Sequence, residues 1–207
     1  MLELGEFVKL QKVITDYVHL DGGTHVFRIA KYTSILLASM GKSNEYSGYV
    51  GLGAALHDIG KIFIPLEILE KPAKLTPDEF EIVKTHTLEG YKVMAGLKSN
   101  FFQMSSEIAL YHHENYDGTG YPMALKGQQI PFNARVVSIV DVFDSLVHRR
   151  AYKDNWTIKD ALDFMNEQTG KKFDPELMEH FDKVVSKLAG QVKLATHLDL
   201  LANSPTG

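Results

Sequence analysis

Apolar side chains recur every three to four positions through most of the chain. Val26, Ile29, Ala30, Thr33, Leu36, Leu37 and Met40 form one such run, which stops before Gly41 and predicts an amphipathic helix capped by that glycine. A second helix carries its own start signal. Thr76-Pro77-Asp78-Glu79 sets a capping hydroxyl, a first-turn proline and a carboxylate able to bond back to the cap, ahead of Phe80, Val83, His86 and Met94. Similar spacing predicts helices over about 4–18, 45–58, 103–113, 133–147, 157–168 and 175–188, the last opened by Asp174-Pro175. No alternating series marks a strand. Two irregular stretches, Lys61 to Lys74 and Glu114 to Pro131, hold the turn-forming prolines and glycines, and both flank histidines. Neither has a linker's composition, and no repeat is visible. The expectation is one all-α helical-bundle domain over residues 1–190 and a tail over 191–207 that frays at Asn203-Ser204-Pro205.

Composition narrows the class. A chain of 207 residues with 44% hydrophobic and 23% charged side chains is a folded globular protein, not a disordered or collagen-like one. No apolar run reaches the roughly 18 residues of a spanning helix, so membrane insertion is not expected. The stretch from Met1 to Lys9 carries Glu3 and Glu6 instead of a basic segment and apolar core, so no secretory leader is expected. The absence of cysteine excludes disulfides and thiolate metal sites, and fits a reducing, cytoplasmic setting. Lys and Arg number 22 against 26 Asp and Glu, a net charge of -4, which gives no footprint for a long nucleic acid. An anionic ligand must then be met by local cations or by metal.

The chemistry-bearing residues are histidines and carboxylates. Nine histidines are present. Any one alone is most simply an ordinary core or surface residue, as we take His19, His148, His180 and His197 to be. His25, His57, His86, His112 and His113 differ as a set, because His57-Asp58 and His112-His113 are adjacent pairs, and a metal site gathers several neutral imidazoles with carboxylates. Neighbours on a helix diverge by about 100°, so such pairs converge only at a helix end or bend, and Gly60 and Gly118 follow them closely. Asp141 and Asp144 stand one turn apart in an otherwise apolar helix. Residue type alone leaves two explanations for them, a buried salt bridge with Arg135 or Arg150, or metal ligation.

These residues stand in an order that resembles the HD-GYP domain, a bacterial branch of the HD superfamily of metal-dependent phosphohydrolases. The likeness runs from about His19 to Leu188. Its signatures are Thr24-His25-Val26-Phe27-Arg28, Leu56-His57-Asp58-Ile59-Gly60-Lys61, Lys84-Thr85-His86, His112-His113-Glu114, Asp117-Gly118-Thr119-Gly120-Tyr121-Pro122 and Asp141-Val142-Phe143-Asp144. The resemblance implies an all-helical bundle of the HD-domain type that cleaves cyclic di-GMP to linear pGpG and onward to GMP. It implies His25, His57, Asp58, His86, His112, His113 and Asp141 as metal ligands, with Asp58 bridging two ions and Lys61 as the cation beside them. Arg150 and Lys153 fall where members hold the ligand's phosphates, and Tyr121 lies by the nucleotide pocket. Asp21 stands where members with three metals carry a glutamate; its shorter side chain makes a third ion conditional on its reach.

Physical chemistry runs alongside. Two ions about 3.5–4 Å apart lower the pKa of a bridging water, aim the hydroxide at phosphorus and neutralise phosphate oxygens. Imidazole with carboxylate suits iron, manganese, cobalt, nickel or zinc better than magnesium, and the sequence does not choose among them; iron is the expectation we carry forward, with manganese as the alternative. Lys61 is four residues from His57 and shares its face if the helix continues that far. On composition alone Lys61 equally suits an exposed lysine, Arg150 and Lys153 a solvated basic stretch with Arg149, and Tyr121 a packed loop residue. Phe63 and Ala124 replace usual glycines, and Arg149-Arg150-Ala151-Tyr152 replaces a segment with an acidic residue and a proline, without removing a ligand. The competing functions are a non-catalytic nucleotide receptor or docking module and a general HD nucleotidase. Signalling-protein partners and a homodimer are compatible with the reading.

Overall fold

The computed structural model describes residues 24–148 and 156–187. The helix expected over 4–18 and the tail lie outside them, as do His19, Asp21, Arg149, Arg150, Ala151, Tyr152, Lys153 and His197.

Helix α1 (His25–Ser39) and α2 (Asn44–Ala54) pack as an antiparallel pair joined by a short turn. A 3-10 turn follows at Ile59–Phe63, then the short α3 (Leu66–Leu69). Next come α4 (Pro77–Ala95), α5 (Asn100–Tyr111), a 3-10 turn at Gly127–Gln129, α6 (Phe132–Val147) and α7 (Ile158–Glu167). A last helix, α8, runs through 175–187. Among the described residues no strand forms beyond an isolated bridge between Thr169 and Phe173, so the fold is all-α as expected. No described helix is long and apolar enough to cross a membrane.

Local signals account for several starts. At α4 the Thr76 hydroxyl accepts from Glu79 N while the Glu79 carboxylate accepts from Thr76 N at 2.7 Å, a reciprocal cap that contributes about 1 kcal/mol. Ser43 caps α2 and Thr157 caps α7 in the same way, through one hydroxyl each.

Helix α6 is the hub. Ala134, Val136, Val137, Ile139, Val140 and Phe143 are buried on several of its sides, and it packs against α1, α5 and α7. A helix apolar almost all round belongs in the centre of a bundle. Its core partners are Ile29, Leu36 and Leu37 of α1, Ile108 of α5, Met165 of α7 and Leu177 and Phe181 of α8. A second buried cluster, Val26, Leu56, Ile59, Met94 and Ala109, joins α1, α4 and α5 to the segment after α2.

That segment departs from the sequence expectation. The helix expected over 45–58 stops at Ala54, and residues 55–58 turn before the 3-10 segment begins. Lys61 therefore does not share a helical face with His57; it lies three residues beyond Asp58, against whose carboxylate it is ion-paired. Tertiary packing explains the turn. Gly60 lies so close to α4 that a Cβ there would be 1.9 Å from the His86 carbonyl oxygen and 2.5 Å from Gly90 N. Only glycine allows this approach, which brings Asp58 to His86.

Candidate metal centre

Both adjacent pairs occupy helix ends, where neighbours can converge. His57 and Asp58 lie in the turn after α2, and His112 and His113 follow the end of α5 at Tyr111. His25 opens α1, His86 comes from mid-α4 and Asp141 from mid-α6. The structure brings all seven side chains together in two groups. Asp58, His86, His112 and His113 form one, and His25, His57 and Asp141 the other; within each, the candidate ligand atoms lie within 4.8 Å of one another.

Asp58 joins the groups. Its Oδ1 lies 3.2 Å from His86 Nε2 and 3.6 Å from His112 Nε2, while its Oδ2 lies 3.3 Å from His57 Nε2 and beside Lys61 Nζ. Asp141 Oδ1 stands 3.6 Å from His25 Nε2 and 3.7 Å from His57 Nε2. The rings form a continuous chain, with centroids 5.4 Å apart from His25 to His57, 5.0 Å from His57 to His112 and 4.0 Å from His112 to His113.

The polar atoms here fit metal. His57 Nδ1 donates to Ala54 O at 2.9 Å, His86 Nδ1 to Val83 O at 2.6 Å and His112 Nδ1 to Ala109 O at 3.0 Å. Those bonds place the ring protons on Nδ1 and turn each Nε2 lone pair inward. His57 Nε2, His86 Nε2, His112 Nε2 and Asp58 Oδ1 are all buried without a hydrogen bond. Buried polar atoms are ordinarily satisfied, and several lone pairs aimed at one point are what a cation requires. Oxygen and imidazole nitrogen suit a divalent transition metal.

Electrostatics point the same way. Burial pushes His112 down to about 4 against the opposing pull of Asp58, and holds His113 well below its ordinary value with help from His112 and His86, so both are neutral imidazoles at pH 7. For His57 burial also disfavours the charge, but Asp58 and Asp141 outweigh it and raise the imidazole to about 10, so the two carboxylates call for positive charge at this position, which either the protonated ring or a bound cation with a neutral ring supplies. Burial opposes ionisation of Asp58 as well, yet Lys61 and His57 hold its carboxyl well below the usual range.

The loop after His113 closes one flank. Glu114, buried, accepts from Met123 N at 2.7 Å and Leu125 N at 3.0 Å, while Tyr121 N donates to His113 O. These bonds set the Tyr121 ring 4.9 Å from that of His113. Burial, reinforced by the charges of Asp58 and Asp141, pushes the Tyr121 phenol up, so it remains a neutral hydrogen-bond donor. Phe80 packs edge-on to Tyr121 at 6.3 Å, with Lys84 Nζ 5.5 Å from the Tyr121 ring centre.

Several residues here carried no role in the sequence reading. Asp144 forms the buried salt bridge that was one of its two readings, but with Arg28 and beside His25, while Arg135 pairs with Asp174; Arg150 lies outside the described residues. His148, taken as ordinary, has Nδ1 3.1 Å from Asp144 Oδ1. Lys172 donates to Asn115 Oδ1 at 3.3 Å; burial lowers its ammonium while Asp141 opposes that shift. Its loop is tied to the tyrosine loop by Tyr116 N to Lys172 O and Asp117 N to Lys171 O. Two consecutive lysines in Gly170-Lys171-Lys172-Phe173 were the only sequence signal.

Comparison with known proteins bears on this geometry. The HD domain family model matches residues 10–177. The chain is 43% identical over 161 residues to the cyclic di-GMP phosphodiesterase response regulator RpfG of Xanthomonas campestris, covering 77% of this chain and 43% of that protein. It is 38% identical over 168 residues to a 3'3'-cGAMP-specific phosphodiesterase, number 2, of Vibrio cholerae, covering 79% of this chain and 32% of the other. In structure it is similar to Bd1817, a HDG"Y"P protein from Bdellovibrio bacteriovorus, with a TM-score of 0.61 and 20% identity over 86% of this chain and 60% of that one. The chain belongs to the HD-domain family, in its HD-GYP branch. It spans less than half the length of either relative.

Proposed function

We propose that the protein hydrolyses cyclic di-GMP to linear pGpG, and that open product onward to GMP, at a centre of two transition-metal ions held by His25, His57, Asp58, His86, His112, His113 and Asp141. Iron is our preferred metal and manganese the alternative. The observation that carries this reading is Asp58, whose two oxygens face two separate histidine groups, as a bridging carboxylate must. Relatives named for cyclic-dinucleotide hydrolysis support the substrate class.

Two bound ions supply an activated water and neutralise phosphate oxygens. The chain's own side chains do the rest. Lys61, beside Asp58 Oδ2, is a fixed cation where charge grows on the phosphate as the ester bond breaks. Tyr121 remains protonated and offers a hydroxyl donor from the loop that Glu114 pins. Lys172, held by Asn115, adds positive charge on the same flank. Arg150 and Lys153 are proposed phosphate contacts from their sequence positions, since a guanidinium fork matches phosphate oxygens.

A chromatographic time course on metal-reconstituted protein tests this. Cyclic di-GMP should be consumed with pGpG appearing before any GMP, because ring opening precedes cleavage of the second ester. Consumption of mononucleotides alone would make the protein a general nucleotidase, and binding without turnover would make it a receptor.

A further inference from the structure

Among the histidines of the centre, His25 is held differently. His57, His86 and His112 give Nδ1–H to backbone carbonyls three residues earlier. His25 Nδ1 instead meets the Asp144 carboxylate, 2.7 Å from Oδ2. Because an ionised carboxylate only accepts, the ring proton is fixed on Nδ1 and the Nε2 lone pair faces Asp141. A charged acceptor also makes the imidazole a stronger donor to metal than a carbonyl does.

Asp144 is itself clamped. Arg28 reaches it with both arms of its fork, Nε to Oδ1 at 2.6 Å and Nη2 to Oδ2 at 2.8 Å, while Arg28 Nη1 donates to Thr24 Oγ1 at 2.9 Å. His148 lies on the other side of Oδ1. Thr24 caps the start of α1, whose first turn holds His25 and Arg28, while Asp141 and Asp144 lie in the second half of α6 and His148 caps its end, so one helix pair carries the whole assembly. The Asp144 side chain is only 1% exposed, which leaves the carboxylate no water to turn towards.

We propose that Asp144, clamped by Arg28, is a positioning residue that sets the tautomer and aim of His25, and thereby governs loading of the one metal position built by His25, His57 and Asp141. This rests on the metal-centre reading above. In the other position, built by Asp58, His86, His112 and His113, the rings of His86 and His112 are oriented by backbone carbonyls, and among the described residues none of its side chains bonds to Asp144.

The substitution that isolates this role is Asp144→Asn, which keeps size and removes charge. An amide nitrogen in place of Oδ2 opposes Arg28 Nη2 and drives the His25 proton to Nε2, towards the metal position. The flipped amide opposes Arg28 Nε and loosens the clamp. The test is anaerobic titration with Mn²⁺ against a competing chelator, with bound ions counted by elemental analysis. Wild type should take two ions. Asp144→Asn should take the first with unchanged affinity and the second about 10–100-fold more weakly. Its curve should resemble that of His25→Ala and differ from that of His86→Ala. Arg28→Lys, which leaves the carboxylate but breaks the fork, should weaken the same ion less, and it decides the matter if Asp144→Asn does not fold. Wild-type affinity for both ions in the deciding variant, or equal weakening of both, overturns the proposal. A wild type that takes no ion defeats the metal-centre reading itself.

Discussion

Asp58→Ala should lose together the metal and the cyclic di-GMP hydrolysis proposed for this centre, with no recovery at saturating substrate. Among the described residues, Asp58 is the side chain that faces His86 and His112 through one oxygen and His57 through the other. Removing it leaves the two groups without a shared anion, and three inward Nε2 atoms without the charge that makes a dication favourable there. The fall should exceed the roughly 10²–10³-fold that follows loss of one electrostatic donor, because two cations go with it. Asp58→Asn distinguishes charge from volume: it fills the space but bridges weakly, so metal content should fall there too. Elemental analysis beside turnover checks both variants, with circular dichroism showing that the helices persist. Normal turnover with both metals in Asp58→Ala would remove Asp58 from the centre of the account.

Lys61→Ala should behave differently. Lys61 touches the Asp58 carboxylate but belongs to neither ligand group, so every proposed ligand stays in place. If its charge meets the phosphate as negative charge develops, kcat should fall by roughly 10- to 1000-fold with metal retained and KM changed much less. Lys61→Arg keeps the charge on a longer, planar head and should recover part of the loss. Steady-state kinetics over a full substrate range separates this from a binding defect. Wild-type behaviour of Lys61→Ala at every substrate concentration would show that the cation has no part in the reaction.

How far the sequence revealed this architecture varied with the range of the forces involved. The cap at Thr76 was legible because Thr76, Pro77 and Glu79 act within one turn, and the burial of α6 because its apolar positions leave no polar face. The end of α2 was not. Ala54, Ala55, Leu56 and His57 contain no breaker, and the turn is imposed by Gly60 packing on the α4 backbone. The histidines and Asp58 were legible as a set through motif order, since adjacent pairs near glycines are costly to arrange without a purpose. Their division into two groups required coordinates. The buried salt bridge of Asp144 was legible as one of two readings, but its partner Arg28 was not, because it is 116 residues away and no local pattern distinguishes it from Arg135. Glu114 stood within a recognised motif, yet its bonds to Met123 and Leu125 depend on the path of an irregular loop.

Seven side chains from five places in the chain come together in two groups, proposed here to hold two ions. Elemental analysis of folded wild-type protein after anaerobic reconstitution with iron or manganese tests that proposal most directly. At least two transition-metal ions per chain should survive gel filtration. A folded protein holding none would contradict it.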